Sequence, residues 1–466
     1  MGEISIVDSR IIKEEDKLNA DSFRPSIVNS INVLKTLHSR GLCVRFEKII
    51  NHITNGATPY MPNYKIGKVR FLTAENIGAF EIIQTPIKYI TLKDHKILKR
   101  SALEIGDLLI TIKGRIGFST VVVEKICKEM NINQDVARIV LKKNVNAYYV
   151  SAFLNSKFGR AQFYLKSVGQ INKFVGLGSL KTFLIPLLSE NFQIHIEQLV
   201  KQSYKKRKLA ERKYQQAEEL LYELLGISKE EIEKLEKNKG YETNFKDVAE
   251  TFRFDAEYYH PKYLGVIELL EKSSFEIKSL KDAIEISDEK IDPTSGENKT
   301  KRFRYVPIAK INESGEIFEW DEFYGWQAPS RARMLIKEND IVIPSLAGTF
   351  DKIALVPKEL DGQLTTTGCF IVRSRKDYPE FLFLLLRTPF FKGQLEQQTT
   401  GAVMSAIPKS VCGDLLIPKI PKEEQKEIAR LVREYFDLRK EARSLIKQAI
   451  REVEEEIENV SSDRTI

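Results

Sequence analysis

Cysteine is scarce in this chain, and its spacing fits neither a metal site nor a disulfide framework. The chain has four scattered cysteines, with no Cys-x-x-Cys pair and no histidine cluster beside them: Cys43, Cys127, Cys369 and Cys412. Structural zinc needs closely spaced ligands, and disulfide frameworks are typical of short secreted chains. We therefore expect reduced thiols buried in a protein core and a cytoplasmic location.

Motifs for catalysis are missing as well. The chain has no Walker-type GxxxxGK[ST] sequence and no Pro-Pro dipeptide, which excludes an ATP-driven motor and the Asp/Asn-Pro-Pro-Tyr/Phe site of amino-methylating enzymes. Residues 174–178 match the FxGxG pattern of adenosylmethionine loops, but a backbone turn explains these glycines better. Asp107 and Lys113 flank a predicted strand, as in many nucleases, but a second carboxylate is missing. The sequence predicts a binding protein with no catalytic residue, no metal site and no cofactor of its own.

Neither hydrophobic runs nor net charge identify a partner. The most apolar stretch, residues 381–386, is far shorter than the roughly 20 residues that a transmembrane helix needs, and the first ten residues are not a signal peptide. We expect no membrane association. The net charge of +8 permits nucleic-acid binding without requiring it. The basic run at residues 205–208 fits a solvated helix face as well as phosphate contact, whereas residues 299–304 (KTKRFR) favour nucleic-acid contact.

The main feature that is present is a long amphipathic stretch that occurs twice. Residues 184–225 align without a gap with residues 416–457. Seam residues recur alternately every three and four positions, which predicts two long heptad helices that bury their seams against each other. An arginine at the same seam position in both would fix the register or extend to water. The seam residues include Ile196, Val200, Arg207, Ala210, Ala217 and Leu221 in the first copy, and Ile428, Val432, Arg439, Ala442, Ala449 and Val453 in the second.

Shorter matches extend the repeat over most of the chain. Because the repeated unit is longer than the ~20–50 residues of a solenoid repeat, we interpret it as a duplicated α/β domain of the α+β type, each copy a small mixed sheet with helices. A linker at residues 226–252 joins the copies, and Ser228 with Glu231 predicts a capping box there. The matched pairs are 19–34 with 255–270 (a turn and a helix), 69–72 with 303–306 (a strand), 106–110 with 339–343 (a turn entering a buried strand), 133–141 with 365–373 (a strand) and 152–160 with 384–392 (a helix).

Two variable α/β segments, each closed by an Ile-Pro sequence and a long heptad helix, resemble the specificity subunit (HsdS) of type I restriction–modification systems. The resemblance covers nearly the whole chain. Its most specific parts are residues 417–425 (IPKIPKEEQ) before the second helix and residues 255–259 (DAEYY) at the start of the second copy. The first copy departs from the pattern, since residues 186–193 lack the second proline and residues 19–23 (NADSF) are degenerate.

The resemblance implies a non-catalytic DNA-recognition subunit. Two tandem target-recognition domains, residues 1–190 and 253–422, would each read one half of a bipartite, asymmetric site in double-stranded DNA. Two long antiparallel coiled-coil helices, residues 191–225 and 423–460, would separate them as spacers, in a pseudo-two-fold arrangement joined by the linker at 226–252. The helices would dock two methyltransferase subunits, which bind S-adenosylmethionine, and a restriction/translocase subunit is a further expected partner.

Candidate DNA contacts are polar and basic side chains in the predicted loops. Arginine and lysine pair with guanine edges, while most contacts in protein–DNA interfaces go to phosphate. The candidates are Lys113, Arg115, Gln170, Asn172 and Lys173 in the first copy, and Lys301, Arg302, Arg304 and Ser405 in the second.

Two other functions remain open from the sequence. The chain also fits the specificity component of an atypical endonuclease–methyltransferase system, with catalysis elsewhere. A coiled-coil scaffold that binds partner proteins without reading DNA is the other alternative. If the chain is such a scaffold, its binding to partners should depend little on salt, and it should show no preference for any duplex sequence.

Overall fold

The computed structural model describes residues 23–60, 62–64, 67–169, 172–236, 242–400 and 405–462. These residues form two compact units. The first unit extends to Lys206 and resumes at Lys440, and the second unit is Arg207–Arg439. The unit boundaries therefore fall inside two long helices, each of which contributes one part to each unit. The predicted division into recognition domains and spacer helices is a division by function, which the compact units do not test, and it stays a prediction.

The first unit consists of short strands and helices that alternate along the chain. Pro25 occupies the first position of the helix Pro25–Ser39, where its missing N–H has no helical acceptor to lose. The elements are α1 Pro25–Ser39, β1 Cys43–Arg45, β2 Ile50–Asn55, β3 Val69–Leu72, β4 Ile77–Gly78, β5 Glu81–Ile82, β6 Tyr89–Ile90, α2 Leu92–Ile97, β7 Leu108–Thr111, β8 Ser119–Val121, β9 Met130–Ile132, β10 Val136–Leu141, α3 Ala147–Asn155, α4 Lys157–Lys166, α5 Leu177–Lys181, β11 Leu184–Pro186 and the first part of α6 Glu190–Leu225.

Small sheets organise the first unit. A four-stranded antiparallel sheet has the order β2-β10-β7-β8, and a three-stranded sheet has the order β6-β3-β9, with β3 and β9 parallel. β1 pairs antiparallel with β11, which brings the start of the unit beside the Ile-Pro segment that precedes α6. β7 is buried along its whole length, and Leu108 and Ile110 share one core with Tyr149 and Phe153 of α3.

The second unit repeats this order of elements. It contains the rest of α6, α7 Lys229–Glu236, α8 Phe245–Thr251, α9 Pro261–Glu271, β12 Ile277–Ser279, β13 Ile284–Ser287, β14 Arg302–Val306, β15 Asp321–Tyr324, β16 Ala332–Ile336, β17 Ile341–Pro344, β18 Ala354–Leu355, β19 Gln363–Thr366, β20 Cys369–Ser374, α10 Pro379–Leu386, α11 Pro389–Gln397, α12 Lys409–Cys412, β21 Leu416–Pro418 and the first part of α13 Lys422–Ser462.

The strand topology of the second unit matches that of the first. β12 pairs with β21, one sheet has the order β13-β20-β17-β18, and another has the order β15-β14-β19-β16 with β14 and β19 parallel. The turns that enter β7 and β17 match as well, since Gly106 (φ 93°) and Asn339 (φ 66°) both have positive φ. The mixed α/β class with small sheets and two long helices, predicted from the sequence, is confirmed. β16 is the extra strand of the second unit's sheet.

The structure corrects two details of the predicted repeat. Residues 152–160 are not one helix, because Ser156 has an extended backbone and its hydroxyl accepts a hydrogen bond from the Gly159 N–H (3.4 Å), ending α3 and starting α4. The equivalent break in the second unit comes before Pro389. The match of β10 with β20 was displaced by one residue, since Val136 lies opposite Thr111 and Cys369 lies opposite Pro344.

The linker and the long helices follow the sequence pattern. Ser228 and Glu231 form the predicted capping box at the start of α7, with the Ser228 N–H 2.9 Å from the Glu231 carboxylate. α6 has 36 residues and α13 has 41, which gives lengths of roughly 54 and 62 Å. Within the first unit, residue numbers rise along α6 as they fall along α13, so the helices are antiparallel there. The side-chain contacts that show this join His195 to Glu452 and Lys206 to Glu441.

Candidate nucleic-acid interface

The structure brings four of the first unit's predicted DNA-contacting residues to one surface. The loop after β7 carries Lys113 and Arg115, and the segment before α5 carries Asn172 and Lys173. Lys113 forms a β-bridge with Phe174, and the Gly114 N–H donates to the Lys173 carbonyl (3.2 Å). Gln170 lies outside the described residues.

Cations and aromatic rings alternate across this surface. The Arg115 guanidinium lies 4.4 Å from the centre of the Phe118 ring, and the Arg160 guanidinium lies 4.7 Å from the same ring. Lys173 lies 5.4 Å from the centre of the Tyr164 ring, which is also 5.9 Å from Arg160. Cation–π attraction at such distances orients a cation without neutralising it. We call this surface the cation–aromatic cluster, and it consists of Lys113, Arg115, Phe118, Arg160, Tyr164 and Lys173.

The hydrogen bonds of Thr111 and the glycine at position 117 fix the conformation of the loop that carries Arg115. Thr111 donates its hydroxyl hydrogen to the Arg115 carbonyl (2.5 Å) and accepts from the Phe118 N–H (2.9 Å). Gly117 has φ 84°, and a Cβ there would lie 2.9 Å from Arg160 Nη1 and 2.8 Å from a ring carbon of Phe163. Glycine is therefore required at this position, and it lets helix α4 close against the loop.

In the second unit, the predicted residues at 301–304 lie at the start of β14, beside the edge strand β15 of the β15-β14-β19-β16 sheet. Lys301 and Arg302 are exposed, and Arg302 lies 5.7 Å from the centre of the Tyr324 ring. Arg304 is held within the unit, because it pairs with Glu322 (3.2 Å) and donates to the Glu359 carbonyl (2.9 Å). With these contacts, Arg304 is better placed to stabilise the sheet than to contact a DNA base.

A carboxylate lies among these cations. Glu322 is 3.5 Å from Arg302, and a hydrogen bond from Trp320 together with the Arg304 guanidinium lowers the pKa of Glu322. It therefore remains charged and offsets part of the positive charge of this edge. Ser405 belongs to another surface, where its carbonyl accepts from the Ala347 N–H (2.9 Å) in the loop after β17.

The seam residues of the long helices are packed inside the units. Ser203 donates a hydrogen bond to the Ala442 carbonyl (2.8 Å) in the first unit, and the rings of Tyr214 and Tyr435 lie 5.2 Å apart in the second. Arg207 is partly exposed. A partner protein would therefore contact mainly the outward faces of these helices. The buried seam residues are Ile196, Val200, Ala442, Ala449 and Val453 in the first unit, and Ala210, Ala217, Leu221, Ile428, Val432 and Arg439 in the second.

The buried seam arginine has a partner that the sequence did not predict. Arg439 pairs with Glu316, with Nη2 2.9 Å and Nε 3.2 Å from the same carboxylate oxygen. Glu316 lies in a turn between β14 and β15, where its N–H donates to the side chain of Asn312 (2.9 Å). The pair connects α13 to the sheet that carries Arg302.

Asp107 has a structural role rather than a catalytic one. Its carboxylate accepts from Arg138 Nε (2.6 Å) and from the Glu104 N–H (2.7 Å), and the side chain is buried. Within the described part of the chain, no three His, Cys, Asp or Glu side chains are grouped so that they could hold a metal ion. Among the same residues, no helix combines the length and the apolar character that crossing a membrane requires.

Sequence reasoning missed several residues of these surfaces. Arg160 and Tyr164 are four residues apart on α4, and that spacing on an exposed helix face is the signal that was available. Phe118 gives no local signal, because its neighbours come from another part of the chain. Tyr324 and Trp326 are exposed aromatic side chains close to a basic segment, and they were not singled out.

The comparisons with known proteins give the following result. No protein-family model matches the chain, and a search of curated proteins finds no match either. Among solved structures, the HsdS subunit from Thermoanaerobacter tengcongensis matches with 34% identity and a TM-score of 0.31, over 34% of this chain and 40% of that one. A chain from a study of assembly and conformational transition of the type I R-M system matches with 33% identity and a TM-score of 0.31, over the same shares.

A third solved structure covers more of the chain at lower identity. The type I restriction–modification S subunit from M. genitalium matches with 12% identity and a TM-score of 0.39, over 90% of this chain and 94% of that one. In the first two comparisons the match spans 40% of the neighbour's length. Two of these three neighbours are specificity (S) subunits of type I restriction–modification systems, the family that the sequence resembles.

Proposed function

We propose that this chain is a sequence-specific DNA-binding specificity subunit, which reads a bipartite, asymmetric site and docks methyltransferase subunits. The observation that carries the proposal is the cation–aromatic cluster. Two distant loops, each predicted to bind DNA from sequence alone, form one surface with Arg160 and Tyr164 of α4, which together present four cations and two rings. Such a surface offers charge to phosphates and π-faces or guanidinium groups to bases.

We assign the catalytic steps to partner subunits because the sequence lacks motifs for catalysis. The chain would carry no methyl-transfer or cleavage step, and S-adenosylmethionine would bind to the partner methyltransferase. Two copies of that partner would dock on the outward faces of α6 and α13. A restriction/translocase subunit is a further partner in this proposal. Unlike half-sites are expected because the loops of the two units differ in sequence while their strands follow the same order.

The test is selection of duplexes from a random library by the purified full chain, repeated with the co-expressed methyltransferase complex. We expect a motif in two parts separated by unread base pairs, with an affinity that falls steeply as salt rises. Changing Arg115 to Ala should relax one base position of one half-site, by about 1–3 kcal/mol if it contacts a base. If it contacts phosphate, the affinity should fall equally for all sequences with a shallower salt slope.

The same experiment separates the alternatives. A scaffold without DNA reading would select no motif and would bind its partners with little salt dependence. A component of an atypical endonuclease–methyltransferase system would select a motif but would co-purify with a single chain that both cleaves and methylates. Methyl transfer to DNA by the isolated chain would contradict the non-catalytic role.

A further inference from the structure

The loop that carries the cation–aromatic cluster has a direct counterpart in the second unit. Lys113 bridges to Phe174 in the first unit, and Leu346 bridges to Ala406 in the second. The flanking hydrogen bonds also correspond, from Gly114 to the Lys173 carbonyl and from Ala347 to the Ser405 carbonyl. The two surfaces therefore share a backbone frame, and their side chains can be compared position by position.

The side chains on the two frames have opposite character. The helix positions of Arg160 and Tyr164 are occupied by Lys392 and Glu396, since α4 follows Ser156 as α11 follows Thr388. Lys392 pairs with Asp351 (2.6 Å), where Arg160 stacks on Phe118.

The other positions of the second frame also carry less positive charge than their counterparts in the first frame. Glu396 pairs with Lys262 (3.2 Å), so that two lysines there are balanced by two carboxylates. The loop positions of Lys113 and Arg115 are occupied by Leu346 and Gly348. A DNA backbone placed on the second frame would meet the carboxylates of Asp351 and Glu396, at the positions where the first frame has the rings of Phe118 and Tyr164.

The second unit has exposed cations and aromatic rings elsewhere, on a surface where Glu322, 3.5 Å from Arg302, offsets part of the positive charge. We call it the edge patch, and it consists of Lys299, Lys301, Arg302, Tyr324 and Trp326. Trp326 is 63% exposed and Tyr324 is 46% exposed, and the Arg302 side chain is 68% exposed. Large aromatic side chains exposed to this degree beside cations are typical of an interaction surface, because the ring can pack on a sugar or base while the cations contact phosphate.

The edge patch is built rigidly. Trp326 lies in the 3-10 turn Gly325–Gln327, which packs on the 3-10 turn Gly296–Thr300, and the Gly325 N–H donates to the Lys301 carbonyl (2.9 Å). A Cβ at Gly325 would lie 2.1 Å from the Asn298 carbonyl oxygen and 2.2 Å from that of Pro293, so only glycine allows this approach. The first unit has a lysine at the equivalent place, because Ile90 pairs with Val69 as Phe323 pairs with Phe303, which makes Lys93 the counterpart of Trp326.

We propose that the two units contact DNA through non-equivalent surfaces, the first through the cation–aromatic cluster and the second through the edge patch with Trp326. This inference rests on the proposed function. It assigns Trp326 as a DNA-contacting residue. It also removes Ser405 from the predicted contacts, although Ser405 occupies the position of Lys173 on the shared backbone frame. The repeat then supplies a common scaffold, and each unit presents its basic surface on a different set of turns.

The first test uses matched substitutions in the full chain, with the duplex that the wild-type protein selects as the probe. Arg160→Gln and Lys392→Gln each remove one cation at the same position of the repeat. We expect Arg160→Gln to weaken binding and lower the salt slope by about one, and Lys392→Gln to leave both unchanged. Because Arg160 also donates to the Ile116 carbonyl (2.9 Å), Lys173→Ala serves as a second variant with the same expectation.

The second test concerns the edge patch. Trp326→Ala should reduce affinity by about tenfold or more and blur the other half-site, because a buried tryptophan at the centre of an interface contributes about that much. As a control, Leu92→Ala removes an exposed apolar side chain (51% exposed) that lies outside both surfaces, and this variant should bind like the wild type. The chain has two tryptophans, Trp320 and Trp326, so the Trp320→Phe variant leaves one fluorescent reporter, which specific DNA should quench.

The outcomes separate the two proposals. If the wild type selects no duplex, the proposed function fails. If it selects a motif but Lys392→Gln weakens binding as much as Arg160→Gln and Lys173→Ala, the units use equivalent surfaces and the inference is overturned. It is also overturned if Trp326→Ala binds normally and the Trp326 fluorescence is unchanged by saturating specific DNA.

Discussion

Removing Arg439 should destabilise the second unit more than removing any exposed charge of the long helices. Arg439 and Glu316 are 8% and 5% exposed, and two guanidinium nitrogens lie 2.9 and 3.2 Å from one carboxylate oxygen. Substituting Met keeps much of the volume but leaves the carboxylate buried without its cation. Breaking a buried pair in this way costs about 3–5 kcal/mol, against about 0–1 kcal/mol for an exposed pair.

The repeat supplies the control for this prediction. Arg207 occupies the same seam position of α6 and is partly exposed, so solvent stays near any charge that Arg207→Met leaves behind. We expect that substitution to cost about 1 kcal/mol or less. In the Arg439→Met background, Glu316→Gln should restore more than half of the lost stability, because it removes a buried charge that has lost Arg439 while the amide oxygen still accepts from Asn312.

Tryptophan fluorescence during denaturant unfolding is the suitable assay. A chain with two compact units does not unfold in one step, and a global probe would mix the transitions. Both tryptophans, Trp320 and Trp326, lie in the second unit, so their emission follows that unit alone. A loss below about 1 kcal/mol for Arg439→Met, or a further loss on adding Glu316→Gln, would show that burial of an unpaired charge is not the cause.

Two further predictions concern the first-unit loop and the thiols. Gly117→Ala should cost about 1–3 kcal/mol and weaken DNA binding, because it adds strain at φ 84° and a clash with Arg160. Gly114 has φ 72° and nothing within 4 Å, so Gly114→Ala should lose only the stability that backbone strain accounts for. Thermal melts followed by circular dichroism measure both losses. An equal loss of stability for the two variants would exclude the clash. In mass spectra after maleimide labelling at neutral pH, the half-buried Cys127 should react first, and the other thiols only as the pH rises or the chain unfolds; equal rates would contradict this. Burial raises the pKa to about 12 and keeps the thiolate scarce in Cys43, Cys369 and Cys412.

The elements with a strong local pattern could be predicted from the sequence. The heptad spacing gave both long helices, and the apolar runs after Gly106 and Asn339 gave β7 and β17, because side-chain periodicity decides which face is buried. The capping box at Ser228 needs only four residues to form. The break at Ser156 was missed because the helix-forming residues on both sides mask a single serine whose hydroxyl serves as a cap.

The candidate sites depend on contacts that no local pattern contains. Arg70 and Arg304 occupy the same position of the repeat in β3 and β14, yet Arg70 is 1% exposed and donates to the carbonyls of Lys88 (3.1 Å) and Pro86 (3.2 Å). The sequence predicts that Arg304 contacts DNA because its neighbours are basic. Its hydrogen bonds within the unit instead give it a structural role like that of Arg70. The burial of a long cationic side chain is decided by the loops that fold over it, and these come from distant parts of the sequence.

The repeat shows which residues the scaffold requires and which it leaves free to vary. Gln162 and Gln394 are both buried, and each makes two hydrogen bonds with one backbone residue, Leu184 in β11 or Leu416 in β21, at 2.7 to 3.0 Å. A buried amide that loses such partners costs about 1–3 kcal/mol, so substituting either glutamine would loosen the strand that leads into a long helix. The exposed positions of Lys113 and Tyr164 carry other residues, Leu346 and Glu396, in the second unit. The units can therefore differ in charge and in reading surface while their strands and helices keep one order, and two unlike half-sites are then the expected consequence of one duplicated fold.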